Sequence, residues 1–251
     1  MHEIVVIIMA GGAGKRMNSE LPKVLHNVAN KPMLVHVIET SMKLAPRKIL
    51  VVVGEYKPII SETLKEYDIL QYVEFVYQER PQGTGHAVQC CREHLNVDNT
   101  KVLILSGDVP LIKQNTLEKM VVDMKVARIM TTEMEEPSGY GRVIEKDGIF
   151  DKIVEEKDCN DEQRSCKKIN AGIYCFDAHA LYKYLPLLQN ENAQKEYYLT
   201  DIVEIINCNE IVDIDIHDIS QQDQMEIMGV NDQHQLQELN RIIKSPLTLY
   251  E

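Results

Sequence analysis

Long apolar runs alternate with amphipathic segments through the first half of the chain. Continuous apolar runs, which are typical of strands covered on both faces, predict strands at Glu3–Met9, Lys48–Val53, Val73–Tyr77 and Lys101–Leu105. Helical spacing of apolar residues predicts helices between them, at Pro32–Leu44, Ile59–Tyr67 and Thr84–His94. This alternation of strand and helix predicts an α/β protein with a parallel, doubly wound sheet and right-handed crossovers.

The pattern changes after about residue 125, where short strands follow one another. We predict strands at Ala127–Thr132, Arg142–Glu145, Ile149–Val154, Ile169–Phe176 and Ile211–Ile216, and helices at Glu196–Asn207 and Asp232–Lys244. The Asp147-Gly148 pair predicts a hairpin, so we expect a mixed or antiparallel extension of the sheet. No linker, repeat or low-complexity tract divides the chain, which predicts a single domain over residues 1–251.

Composition and charge narrow the class of protein. The 251 residues have a net charge of −12, which argues against a nucleic-acid or anionic-membrane partner. No apolar run approaches the roughly 20 residues that span a bilayer, and the N-terminus does not resemble a secretory signal. The six cysteines contain no C-x-x-C pair. We therefore expect reduced thiols, no structural zinc and a cytoplasmic location.

The first predicted strand ends in the segment AGGAGKRM, which brings glycines and cations together. Glycines after a strand let the backbone turn sharply, and free amides there favour phosphate. A Walker loop is excluded because Met9 stands where its first glycine belongs, and a dinucleotide fingerprint is excluded because Met17 replaces its third glycine. Lys15, Arg16 and Lys23 nearby suit a triphosphate better than a carboxylate.

Eight motifs occur in a fixed order along the chain: LPKVLHNVANKPMLVHVI, QGTGHAV, LSGDVPL, PSGYGRVI, IVEEKDCNDEQ, INAGIY, EYYLTDIV and GVND. Together they resemble the sugar-1-phosphate nucleotidyltransferases, and within them the N-acetylglucosamine-1-phosphate uridylyltransferases (UDP-N-acetylglucosamine pyrophosphorylases). The resemblance is to the N-terminal domain of the bifunctional bacterial enzyme and covers nearly the whole chain. No hexapeptide repeats follow, so we expect the acetyltransferase activity of that enzyme to be absent.

The resemblance implies a Rossmann-like fold of the nucleotide-diphospho-sugar transferases. In that fold a mixed, mainly parallel central sheet is flanked by helices, and a smaller β-rich part binds the sugar. Residues of about 1–125 would form the nucleotide-binding part, about 126–230 the sugar-binding part, and 231–251 a closing helix and tail. The implied reaction joins UTP to N-acetylglucosamine 1-phosphate, giving UDP-N-acetylglucosamine and pyrophosphate.

The resemblance also assigns the residues around the reacting phosphorus. Arg16 and Lys23 match the cationic, catalytic contacts to phosphate, and Asp108 and Asn231 match the ligands of a Mg²⁺ ion. The reaction brings two anions together, so positive charge and alignment are what the catalyst must supply. Carboxylate and amide oxygens are suitable ligands for Mg²⁺. Lys15 departs from the family pattern, and we interpret it as a solvent-facing residue.

Further residues match the family positions that contact the two substrates. Those for the nucleotide are Ala10, Gly11, Gly12, Gly14, Gln78, Gly83 and Thr84, and those for the sugar are Gly141, Glu155, Asn170 and Thr200. We interpret His26 and His86 as structural, and Tyr197 and Tyr198 as packing residues. Pro81 replaces a glutamine and Ser106 replaces a tyrosine of the family pattern, which leaves open how strictly UTP and the acetylated sugar are preferred.

Two other functions remain open at this level. One is a uridylyl- or thymidylyltransferase acting on glucose 1-phosphate, and the other is a non-catalytic nucleotide-sugar sensor. The presence of Arg16, Lys23, Asp108 and Asn231 together argues against the sensor, because binding alone does not require the metal ligands. The sequence does not decide the oligomeric state, so a homo-oligomer is one alternative.

Overall fold

The computed structural model describes residues 3–12, 14–95, 97–210 and 213–244, and of Lys15 only the backbone. Its strands are β1 (Glu3–Met9), β2 (Asn27–Val28), β3 (Lys31–Pro32), β4 (Lys48–Val53), β5 (Glu74–Tyr77), β6 (Thr100–Ser106), β7 (Ala127–Glu133), β8 (Arg142–Lys146), β9 (Ile149–Val154), β10 (Lys168–Asp177) and β11 (Asp215–Asp218). Its α-helices are α1 (Met33–Met42), α2 (Lys57–Glu66), α3 (Thr84–Cys90), α4 (Gln114–Val121), α5 (Asp161–Arg164), α6 (Ala178–Tyr184), α7 (Thr200–Asn209) and α8 (Gln233–Lys244).

Nine of these strands form one mixed sheet. Their order is β11-β7-β10-β6-β1-β4-β5, and the β8–β9 hairpin is attached to β10. Strands β6, β1, β4 and β5 are parallel, as predicted for the first half of the chain. Strand β10 is antiparallel to both β6 and β7, whereas β11 is parallel to β7. The predicted mixed extension and the hairpin at Asp147-Gly148 are confirmed.

The central strands bury side chains on both faces. Val5 and Ile7 belong to one core, with residues of α3, α6 and α7, whereas Val6 and Ile8 belong to a second core, with residues of α1, α2 and α4. All four side chains are fully buried. Each such burial contributes about 1.5–3 kcal/mol. The continuous apolar runs in the sequence therefore reflect a sheet covered by helices on both sides.

Several element boundaries differ from the prediction. Helix α3 ends at Cys90 and is followed by a short 3-10 turn at Arg92–His94. Helix α7 begins at Thr200 instead of Glu196, because Tyr197 in the segment before it makes backbone hydrogen bonds with Gln82 and Gly85. The strand predicted at Ile211–Ile216 begins at Asp215, and residues 211 and 212 lie outside the described part of the chain.

Helices α4 and α6 were not predicted from the apolar pattern. Helix α4 is short and buries only Thr116, Leu117 and Met120. Helix α6 begins at an N-cap, Asp177, whose side chain accepts hydrogen bonds from the backbone amides of the second and third residues after it. Asp is a preferred N-cap residue, so this signal was present in the sequence.

Glu226 anchors the segment that leads to Asn231. Its buried carboxylate accepts from the Thr116 hydroxyl at 2.6 Å and lies 2.7 Å from Lys113 Nζ. The 3-10 segment Gln221–Ile227 is thereby held against α4. This attachment fixes the start of the chain that returns to the carboxyl ends of the central strands.

We expect Glu226→Ala to lower the free energy of unfolding by about 2 kcal/mol, because a buried charge-assisted hydrogen bond is lost. Urea unfolding measures this change. The control is Asp223→Ala, which removes an acid whose side chain is 52% exposed but which also contacts Lys113. We expect the control to change stability by less than about 0.5 kcal/mol. Equal losses in the two variants would contradict the anchoring role.

Candidate active site

The register of β1 and β6 places the glycine loop beside Asp108. Met9 is opposite Ser106 in this parallel pair, so both chains leave the sheet at the same edge. The Gly107 amide donates to the Met9 carbonyl at 3.0 Å, which holds the two exits together. Ligands of open α/β sheets bind at this edge, so the position of Asp108 agrees with the expectation from sequence.

Four polar side chains from separate parts of the chain meet at this edge. Lys23 Nζ donates to the Asp108 carboxylate. It also donates to Asn231 Oδ1, at a distance of 3.1 Å. Arg16 Nη2 lies 3.4 Å from the same Asn231 oxygen. The side chains of Lys23 and Asp108 are only 18% and 9% exposed. The residues predicted as cationic contacts and metal ligands therefore form one cluster.

The backbone around Asn231 is tied to the strand that carries Asp108. The Val230 amide donates to the Asp108 carbonyl at 3.0 Å, and the Asn231 amide donates to Gln235 Oε1 at 2.7 Å. Gly229 lies against both side chains, and a Cβ there would be in ordinary van der Waals contact with them, 3.7 Å from Asn231 Nδ2. The end of the chain thus completes a site that the first 110 residues begin.

The oxygen pair of Asp108 and Asn231 is suited to a hard divalent cation. In the described part of the chain no three acidic, histidine or cysteine side chains lie together in a metal-binding arrangement. A cation here would have two protein oxygens as ligands, and phosphate or water oxygens would fill its remaining coordination positions. Mg²⁺ binds in this way, with few protein ligands and several waters retained. The Lys23 ammonium between the same oxygens indicates that the pair attracts positive charge.

Gly14 allows the cationic segment to fold back on itself. Its φ of +57° is in the left-handed region, and a Cβ at this position would lie 2.6 Å from Lys23 Cβ. A side chain at Gly14 would therefore displace Lys23 from Asp108. The prediction that Lys15 faces solvent concerns a side chain outside the described part of the structure.

A cavity of about 260 Å³ adjoins the cluster on the glycine-loop side. It is lined by Met9, Ala10, Gly11, Gly12, Lys23, Val24, Gln78, Pro81, Gly83, Thr84, Ala87, Ser106, Asp108 and Glu196. All the predicted nucleotide positions except Gly14 line it. Glu196 is a lining residue that sequence analysis missed, although it begins the motif EYYLTDIV. Pro81 and Ser106, which depart from the family pattern, both face this space.

The wall of this cavity at residues 82–85 is held by the segment before α7. The Tyr197 amide donates to the Gln82 carbonyl, and the Gly85 amide donates to the Tyr197 carbonyl, both at 2.8 Å. Gly83 has a φ of +108°, and a Cβ there would lie 2.5 Å from the Tyr197 carbonyl oxygen. Only glycine fits this position, because the two segments approach too closely for a side chain.

A second cavity, of about 220 Å³, lies on the other side of Asp108. Met9, Thr84, Ser106 and Asp108 line both cavities, so the two cavities adjoin at these residues and are together called the cleft below. Among the predicted sugar positions, Gly141, Glu155 and Asn170 line the second cavity. Tyr140 and Tyr174 line it as well and were not predicted, although both lie within motifs quoted above.

Thr200 contacts the Glu155 carboxylate from the protein interior. Thr200 is 2% exposed, does not line the cavity, and donates its hydroxyl to Glu155 Oε1 at 3.0 Å. The Asn170 amide is also oriented by protein contacts, since its Nδ2 lies 2.6 Å from Tyr174 Oη and its Oδ1 accepts from the Gly172 amide. Of the two tyrosines predicted to pack, Tyr198 is buried and donates to Asp158.

Acidic side chains are concentrated near the second cavity. Burial raises the pKa of Glu155, with smaller contributions from Asp158 and Glu196. Burial and then the charge of Glu155 raise the pKa of Asp201 to about 6. The cleft therefore has cations at its centre, in Lys23 and Arg16, and carboxylates at its far end.

Comparison with known proteins gives concordant matches. The family model for nucleotidyl transferases matches residues 5–207. An Acanthamoeba polyphaga mimivirus protein named "Probable UDP-N-acetylglucosamine pyrophosphorylase" is 38% identical, over 97% of each chain. The "Bifunctional protein GlmU" of Nitrosococcus oceani is 43% identical over 95% of this chain, which spans 51% of that protein. These matches confirm the resemblance stated from the motifs.

A solved structure supports the fold class independently. The structure titled as UDP-glucose pyrophosphorylase complexed with UDP-glucose superposes with a TM-score of 0.75 at 16% identity, covering 97% of this chain and 98% of the other. The predicted Rossmann-like fold with a mixed sheet is thereby confirmed. Separately, the described residues contain no helix that is both long and apolar enough to cross a membrane.

We expect Lys23→Met to lower the free energy of unfolding by about 2 kcal/mol at neutral pH, because the largely buried Asp108 carboxylate loses its counter-charge. Denaturant unfolding measures the loss. The control, Lys31→Met, breaks an ion pair with Glu39 whose partners are 32% and 37% exposed. That change should be below about 1 kcal/mol. The Lys23 effect should shrink in an Asp108→Asn background, and its persistence there would contradict the assignment.

We expect Asp201→Asn to change how stability depends on pH. The folded pKa of about 6 is above the ordinary 3.8, so the folded state binds the extra proton between these values. The contribution of Asp201 to stability is therefore lost as pH rises from about 4 to 6. Relative to the parent, the variant should gain stability over this range and keep the gain at higher pH, in unfolding measured at several pH values.

The control for this measurement is Asp223→Asn. A hydrogen bond from Ser220, followed by the charge of Lys113, lowers the pKa of Asp223, so any change should have the opposite sign. A stability difference between Asp201→Asn and the parent that does not vary with pH would refute the raised pKa.

Proposed function

We propose, from the premise that the chain belongs to the nucleotidyl transferase family, that it transfers uridylyl from UTP to N-acetylglucosamine 1-phosphate and releases pyrophosphate. The chain is a sugar-1-phosphate nucleotidyltransferase, and the proposal concerns its two substrates. The name of the mimivirus relative supports the acetylated sugar. The main structural support is the pair of adjoining cavities with the contacting side chains of Lys23, Asp108 and Asn231 at their junction.

We assign the first cavity to UTP and residues of about 1–125 to its binding. Ala10, Gly11 and Gly12 line this cavity, and the amides of the two glycines can approach phosphate closely, whereas the Ala10 amide donates to the Val52 carbonyl at 2.9 Å. Gln78 lies beside Gly11 and can hydrogen-bond to the edge of the base. Gly83 and Thr84 also line the cavity, where their backbone can approach the nucleoside.

We assign the second cavity to the sugar phosphate and residues of about 126–230 to its binding. Glu155 can accept hydrogen bonds from sugar hydroxyls, and Thr200 fixes the direction of its carboxylate. Asn170 offers an amide beside Gly141, where the sugar can lie against the backbone. Because the cavities meet at Asp108, a sugar phosphate in one would face a triphosphate in the other.

The chemistry requires charge stabilisation and alignment rather than a base. A phosphate oxygen of the sugar phosphate forms a bond to the α-phosphorus, and the bond from that phosphorus to the oxygen bridging the α- and β-phosphates breaks. Pyrophosphate leaves with the bonding electrons. The nucleophile is already ionised, so its attack is opposed chiefly by repulsion between anions. Lys23 and Arg16 bring an ammonium and a guanidinium to this point, and the guanidinium can contact two oxygens at once.

Enzymes of this family generally act with a divalent cation, and we propose Mg²⁺ held by Asp108 and Asn231. When bound, the ion would neutralise phosphate charge and increase the electrophilicity of the α-phosphorus. Lys23, which contacts both ligand oxygens, is close enough to exchange that contact for one with phosphate.

The six cysteines are all unpaired, in keeping with the expected cytoplasmic location, which stays a prediction.

Pyrophosphate release tests the proposal directly. The purified chain, Mg²⁺ and N-acetylglucosamine 1-phosphate are assayed with UTP, TTP, CTP, ATP and GTP in turn, and UTP should be preferred. Glucose 1-phosphate is the paired sugar substrate, and its preference over the acetylated sugar would overturn the substrate assignment. Binding of UTP without turnover on either sugar phosphate would instead favour the sensor.

We expect Asp108→Ala to lower kcat at least about a hundredfold, since a charge-stabilising group at the reacting centre is removed. The control is Asp151→Ala, which removes a carboxylate that is paired with the exposed Lys146 and lines neither cavity. Unfolding curves of both variants establish that each remains folded at the assay temperature. Parent-like turnover by a folded Asp108→Ala variant would remove Asp108 from the catalytic site.

A further inference from the structure

The side-chain amide of Gln78 has one defined orientation beside the first cavity. Its side chain is 5% exposed, and its Nε2 lies 3.2 Å from the Gly83 carbonyl oxygen and 3.0 Å from His86 Nδ1. A carbonyl oxygen can only accept, so the atom facing Gly83 must be the amide nitrogen. The orientation of the Gln78 amide therefore follows from its partners.

His86 is the second acceptor of this amide. An amide nitrogen donates but does not accept, so His86 Nδ1 must carry a lone pair and the neutral ring must hold its proton on Nε2. That Nε2 lies 4.0 Å from Cys90 Sγ, and the ring lies 6.3 Å from the Tyr197 ring. Both hydrogens of the Gln78 amide are thus committed within the protein.

The remaining hydrogen-bonding atom of Gln78 is Oε1. It lies beside Gly11, where a Cβ would approach it to 3.3 Å, and both residues line the cavity. It accepts no hydrogen bond within the described part of the chain. A base in this cavity therefore meets an acceptor and no free donor from Gln78.

We propose that His86 is a positioning residue that selects uracil over cytosine by holding the Gln78 oxygen toward the base. Uracil has a hydrogen on N3 that this oxygen can accept, whereas N3 of cytosine has only a lone pair. Without the His86 acceptor, only the Gly83 carbonyl holds the amide, so turning its NH₂ toward the cavity to accommodate cytosine costs one hydrogen bond fewer. This inference rests on the proposed use of a nucleoside triphosphate in the first cavity.

Thymine supplies an internal control. It has the same N3 hydrogen as uracil and differs by a methyl group, so His86 should not influence the choice between UTP and TTP. A general loss of packing around α3 would instead affect all three nucleotides. The two ratios of kcat/KM, for UTP against CTP and for UTP against TTP, therefore separate positioning from structural damage.

The test compares His86→Leu with His86→Asn. Leucine removes the acceptor, whereas the asparagine Oδ1 occupies the position of Nδ1 and keeps it. We expect His86→Leu to lower the UTP-to-CTP ratio of kcat/KM roughly tenfold, the effect of one buried hydrogen bond, with the UTP-to-TTP ratio unchanged. His86→Asn should restore most of the discrimination. An unchanged UTP-to-CTP ratio in His86→Leu, or equal falls for all three nucleotides, would overturn the proposal.

Two further measurements keep this test independent of the proposed reaction. Calorimetric titration of UMP and CMP into the parent and His86→Leu proteins measures base preference without turnover. Nitrogen-15 spectra of the histidine rings should show His86 with an unprotonated Nδ1 and a protonated Nε2. A proton on Nδ1 would refute the inference even in an active enzyme, whereas an inactive parent that prefers UMP would refute only the reaction.

Discussion

The contact of the Lys23 ammonium with the Asp108 carboxylate and the Asn231 amide oxygen organises the cleft. These residues come from the first loop, from the end of a central strand and from the segment before the last helix. Each polar group would be destabilising in this largely buried place by itself, because desolvation disfavours an unpaired charge. Their mutual contact offsets that desolvation and so defines where the two cavities meet.

The second feature on which the cleft depends is the segment before α7. Its backbone is hydrogen-bonded to Gln82 and Gly85 on the nucleotide side, and Leu199 donates its amide to the Thr84 hydroxyl. The next residue, Thr200, holds Glu155 on the sugar side. The five consecutive residues Glu196 to Thr200 therefore connect the linings of the two cavities. This arrangement suits a reaction in which two substrates must be aligned before a bond forms.

Positive and negative side chains occupy different parts of the cleft. Cations lie at the junction, where phosphates would meet, and carboxylates lie around the far cavity, where burial raises the pKa of Glu155. A neutral sugar can satisfy such a carboxylate with hydroxyl groups, whereas a second phosphate would be repelled by it. Electrostatics therefore supports the proposed orientation, with the phosphate at the junction and the sugar in the second cavity.

Much of the fold was determined by the sequence alone. Continuous apolar runs require a sheet covered on both faces, and the glycines after β1 require a turn where backbone is exposed to a ligand. The motifs also indicated the residues of the cleft through resemblance. Helices α4 and α6 escaped detection because their apolar faces are too short to establish a period. Tertiary structure alone decided that Lys23 contacts both Asp108 and Asn231, that Thr200 contacts Glu155, and that His86 contacts the Gln78 amide. Such contacts join residues far apart in the chain, and their geometry depends on strand register and side-chain direction, which local sequence pattern does not encode.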